Sequence, residues 1–184
     1  MIQCIYMLKI ATAIVLICVC IGCHESGRET VFHFNPSMPF SMNFGKGSSL
    51  DGLETIRIAE NGSATLHRHL DKNMGTWKTA NVSLTPELMS KLVQVIVADD
   101  LLSLKSVYSK RNRKDGSQWV LLIKQGEYTK RVYLDNDFPS QILRFDNALD
   151  DIATSAGVNQ ATWSAIEASQ ARKHESELWE TVVR

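Results

Sequence analysis

Apolar and polar positions change period along this chain, and the changes mark its elements. From Phe32 to Phe44 the even positions read Phe32, Phe34, Pro36, Met38, Phe40, Met42 and Phe44, while the odd ones are mostly polar. That period of two gives an extended segment one apolar edge. Pro36 and Pro39 exclude a central strand and allow an edge strand or an extended wrap along the domain. The aromatics then either dock on the core or form a membrane-proximal or partner-binding strip. Gly45 to Gly52 (GKGSSLDG) reads as a flexible joint. Residues 23–52 are therefore expected to be a tether, with the domain beginning near Leu53.

Segments 55–59 and 64–70 flank Asn61-Gly62, the strongest short signal for a tight hairpin turn, and 76–83 follows as a third strand. Thr85-Pro86-Glu87 supplies an N-cap, a proline for the first turn and an acid near the positive end of a helix. Leu88, Met89, Leu92, Val93 and Ile96 recur at helical spacing, predicting an amphipathic helix from 86 to about 99. A second hairpin is expected from 119–124 and 128–134 across Gln125-Gly126-Glu127. Pro139 opens another helix with Ile142, Phe145, Leu149 and Ile152 on one face and Gly157 as its stop. Residues 160–181 read as a last, less apolar helix.

Sheet segments alternating with single helices, without the spacing of βαβ units, predict an α+β domain over 53–157. Its antiparallel sheet is expected to be built from two β-hairpins and backed by two or three helices, with a C-terminal helix in 158–184.

The first residues carry a different pattern. Lys9 precedes the apolar run Ile10 to Ile21, and no acid occurs before Glu25. This is the layout of a secretory signal over 1–22, and the run is short for a membrane span. Cys20-Ile21-Gly22-Cys23 resembles a bacterial lipobox, with Cys20 where the pattern usually has Leu. The resemblance implies cleavage before Cys23, a covalent lipid on that residue, and export to the periplasmic side of the inner or outer membrane. His24 replaces the Asp of inner-membrane retention, which leans toward the outer membrane. All four cysteines lie in these 23 residues, so the rest of the chain has no intrachain disulfide or thiolate metal site.

Twenty Lys and Arg balance twenty Asp and Glu among the 184 residues, which argues against nucleic acid as a partner. Asn61-Gly62, Leu84 to Leu88, Leu101 to Leu104, Asp115-Gly116 and Asn136 to Pro139 together resemble small uncharacterised bacterial lipoproteins of planctomycete type. That resemblance covers roughly residues 53 to 155. It implies a domain of unknown function and brings no catalytic residues with it.

Candidate chemistry is sparse. His67 and His69, two apart on a strand, project from one side and form a possible metal pair for zinc, copper or nickel. The opposing expectation is an ordinary solvated face, with Ala64, Leu66 and Leu70 turned to the core. Lys110, Arg111, Arg113 and Lys114 form a basic loop, read either as a contact for an anionic surface or as a charge that guards a sheet edge. No nucleophile elbow, Ser-x-x-Lys or HExxH motif occurs. The leading expectation is a lipid-anchored, non-catalytic binding or accessory module of the cell envelope. Its partners would be the membrane, through the anchor, and an envelope protein. No cofactor beyond the lipid is expected. An envelope hydrolase and a metal-binding lipoprotein using His67 and His69 are the alternatives.

Overall fold

The computed structural model describes residues 34–48, 50–71, 75–110 and 116–180. Along the chain it places β1 (Ser41–Ser48), β2 (Gly52–Ile58), β3 (Ser63–Asp71) and β4 (Thr76–Ser83), then helix α1 (Pro86–Ala98) and a single 3-10 turn (Leu101–Ser103). Strands β5 (Val107–Ser109), β6 (Gln118–Gln125) and β7 (Tyr128–Asp135) follow, then α2 (Ser140–Ser155), β8 (Ser164–Ile166) and α3 (Ala168–Trp179). The strands form one eight-stranded sheet in the order β5-β7-β6-β1-β2-β3-β4-β8. All pairings are antiparallel except β5 with β7. The architecture is α+β.

Local chemistry explains the boundaries. Thr85 caps α1 by accepting from the Leu88 backbone N–H, with Pro86 in the first turn. The β2–β3 connection turns on Gly62 at φ +80°, a backbone region that side-chain-bearing residues rarely adopt. Asn61 braces that turn, its Oδ1 accepting from the Ser63 N–H at 3.0 Å.

Register builds the core. Met42 lies opposite Ile58 and Ile123, and Phe44 opposite Ile56 and Leu121, so one sheet face is a continuous apolar layer. Leu92 and Ile96 of α1, with Ile142, Phe145, Leu149 and Ile152 of α2, fill the same core. Each such fully buried side chain contributes about 1.5–3 kcal/mol of transfer free energy. At one margin of this layer Lys46 binds Asp146 at 2.7 Å and Asp150 at 3.3 Å, fastening α2 to β1.

The opposite face is partly covered by α3. Its Leu178 is fully buried against Leu53, Val120 and Leu122, with Tyr133 and Trp179 at the margin. Gly45 makes this fit possible, since a Cβ there would stand 2.8 Å from Leu178 Cδ1.

Three expectations need correction. The sheet is larger than two hairpins, with eight strands and one parallel pair. The segment expected to be a tether and joint holds a central strand, since β1 lies between β6 and β2. The prolines end at Pro39, before the strand begins, and the glycines reflect close packing rather than a joint. A Cβ on Gly47 would fall 2.0 Å from the Gly52 carbonyl oxygen. The last segment is not one helix from 160, because β8 pairs with β4 first and α3 starts at Ala168.

From Phe34 onward the aromatic strip docks on the domain. Phe40, Met42 and Phe44 are buried, and Phe34 meets Phe40 edge-on at 5.4 Å. The Gln125 side chain clamps this stretch, accepting from Asn35 N–H at 2.8 Å and donating to the carbonyls of Asn35 and Met38. Signal segment 1–22 and Cys23 lie outside the described residues, and among those residues no helix is long and apolar enough to cross a membrane.

Candidate functional site

Beyond the C-terminal end of α3 the uncovered sheet face forms an open groove of about 660 Å³. Its floor crosses four strands. Register aligns Arg57 with Asn43, Asn43 with Leu122 and Leu122 with Arg131. Ser41 and Lys124 form the next row toward the end of the sheet. The β2–β3 turn contributes Glu60, Asn61 and Ser63, and α3 contributes Glu177 and Glu180.

Charge in the groove is unevenly satisfied. Arg57 and Glu177 pair at 3.2 Å, both half exposed, a bond worth at most about 1 kcal/mol in such solvent. Lys124 and Arg131 have no ion pair among the described residues. They are diagonal neighbours on β6 and β7, a relation that places Cβ atoms roughly 7–8 Å apart. The groove thus offers two free cations, the Asn43 amide and the hydroxyls of Ser41 and Ser63. Its carboxylates, Glu60, Glu177 and Glu180, are all solvent-exposed.

A second, shallower cleft of about 410 Å³ opens beside β3 and is lined by Thr65, His67, Thr79, Ile166, Gln170, Lys173 and His174. His67 is only 5% exposed. It is not on a solvated face, because α3 lies over it and brings His174 into edge-to-face contact, ring centres 4.4 Å apart. Burial, and then the charge of His174, push the His67 pKa down to about 4. His174 is lowered too, by burial first; Arg57 and Lys173 add to that effect and Glu177 opposes it.

His69 shares the face with His67, as strand alternation requires, yet it takes a different partner. Its ring lies over Trp77 with centres 3.9 Å apart, and its backbone N–H donates to Glu54 at 3.2 Å. Among the described residues no group of three or more His, Cys, Asp and Glu comes together as a metal set. Of the basic loop only Lys110 is described, and its ammonium pairs with Asp137 at 3.0 Å. Arg111, Arg113 and Lys114 lie outside the described residues.

Sequence reasoning missed Asn43, Lys124 and Arg131, which gather only once β1 is central. The chain matches no family model and no curated protein.

Proposed function

We propose that this chain is an exported, lipid-anchored cell-envelope protein whose α+β domain is a non-catalytic binding or accessory module, with the open groove as its contact surface. The observation that carries the reading is the groove itself. Two cations without ion partners stand beside an amide and hydroxyls on a rigid sheet, a surface suited to the carboxylates and polar backbone of a protein partner.

Position adds to it. Ser41, the first residue of β1, lines the groove, so the segment that leads in from the N-terminal side joins the sheet at the contact surface. The reading keeps the two hairpins, β2–β3 and β6–β7, as the frame, with β1 carrying the groove floor between them. Cys20-Ile21-Gly22-Cys23 supports the anchor and, with the resemblance to small bacterial lipoproteins, the envelope location. From Cys23 to Phe34 eleven residues reach at most about 40 Å, which confines the domain near the membrane and raises its effective concentration toward partners there.

The test is a crosslinking pull-down from native membranes, comparing the natural chain with Cys23→Ser and with Lys124→Glu/Arg131→Glu. Loss of a specific partner in the charge-reversed variant, with the fold intact by circular dichroism, supports the groove. Release of the protein from membranes in Cys23→Ser supports the anchor. A partner retained at full yield by the charge-reversed variant rejects the groove, and unchanged membrane association of Cys23→Ser rejects lipidation.

A further inference from the structure

The pairing of His67 with His174 joins two imidazoles that the chain keeps far apart in sequence, and it is built by α3 lying over β3. His69, the neighbour that spacing suggests, is instead laid against Trp77. The ring centres of His67 and His174 are 4.4 Å apart and the planes cross at 63°.

Two imidazoles with oxygen donors beside them make a nitrogen–oxygen set, and among divalent first-row ions such a set binds copper(II) most tightly.

Two further observations point the same way. His67 Nδ1 is buried without a hydrogen-bond partner, as are both ring nitrogens of His69; of the two residues it is His67 that has a second imidazole against it, so a shared ion would satisfy its nitrogen. The pair lines a cleft open to solvent, whose Thr65, Thr79 and Gln170 add oxygen donors. Lys173 lines the same cleft and its charge works against a cation, which limits the affinity.

We propose that His67 and His174 form a two-nitrogen site for a copper(II)-class ion, completed by water and the oxygen donors of the cleft. The site does not depend on the groove or on the anchor.

The test is copper(II) titration at pH 7, followed by electron paramagnetic resonance, on the full chain carrying Cys4→Ser, Cys18→Ser, Cys20→Ser and Cys23→Ser, so that no thiolate competes. One equivalent should bind with hyperfine structure from two nitrogens. His174→Ala, on a half-buried helix face, should leave one nitrogen and weaken binding about tenfold or more, the least that loss of a metal site's supporting shell costs. His67→Ala should do the same, and His69→Ala should change nothing, with circular dichroism confirming each fold. A two-nitrogen signal that survives His174→Ala, or one that disappears in His69→Ala, overturns the assignment. So does copper binding without nitrogen coupling.

Discussion

Replacing Leu178 by Ala should release α3 while leaving the rest of the domain folded. Leu178 is 1% exposed and is the one large side chain that α3 buries completely. The other ties are small. Ala171 brings little area, Arg57–Glu177 is a half-exposed ion pair, and the half-buried rings of Trp179 and His174 each make one edge contact, with Tyr133 at 5.9 Å and His67 at 4.4 Å.

Burying a leucine is worth about 1.5–3 kcal/mol, and a Leu→Ala change in a core costs about 2–5 kcal/mol once the cavity is included. The lower half of that range applies, because a terminal helix can collapse into the space or lift away. A loss of about 2–3 kcal/mol lowers the protection of the α3 amides roughly 30- to 150-fold, at 1.4 kcal/mol per decade. Twelve residues do not hold a helix alone in water, so little of α3 remains once it lifts.

Hydrogen exchange read residue by residue provides the assay. Amides of α3 from His174 to Trp179 should lose protection, while those of β1 and α2 keep theirs, since the main core on the other face contains no α3 residue. Unchanged protection in α3 would refute the anchoring role of Leu178. Equal loss in β1 and α2 would refute the independence of the two layers.

Two further outcomes follow from other contacts. Burial pulls the Lys46 pKa down, but its hydrogen bonds and attraction to Asp146 and Asp150 outweigh that and raise it above 10.5. Its contribution is therefore complete below pH 10.5 and lost as pH rises through the folded value. Urea melts at pH 8 and pH 11 should show a larger alkaline loss in the natural chain than in Lys46→Met, and equal losses would remove the ion cluster from the account. Gln125→Ala leaves the Asn35 N–H and the carbonyls of Asn35 and Met38 without their partner; both residues are exposed and take water in exchange, so each bond lost costs its net worth of about 0.5–1.5 kcal/mol. Limited proteolysis should then cut faster between residues 34 and 40, and an unchanged cleavage rate would show that the clamp is dispensable.

Local order was readable before the structure wherever one residue's chemistry suffices. Thr85-Pro86-Glu87 started α1, and the spacing of Ile142, Phe145, Leu149 and Ile152 marked the buried face of α2. What escaped depends on partners distant in the chain. Gly45 and Gly47 look like a joint until Leu178 and Gly52 are seen pressed against them. His67 looks solvated until α3 covers it, and α3 buries only Ala171 and Leu178 completely, too sparse a stripe to announce a packed helix. The groove could not be anticipated for the same reason. Asn43 was assigned to a tether, so nothing placed it between Arg57 and Leu122.

The most direct measurement of the central claim uses a photo-crosslinking amino acid at Asn43, on the groove floor, and at Lys91, exposed on α1 across the sheet. Irradiated in native membranes, Asn43 should yield one discrete adduct with an envelope protein, suppressed by Lys124→Glu/Arg131→Glu, and Lys91 should yield none. A matching adduct from Lys91, or no adduct from Asn43, would contradict a binding module that works through this groove.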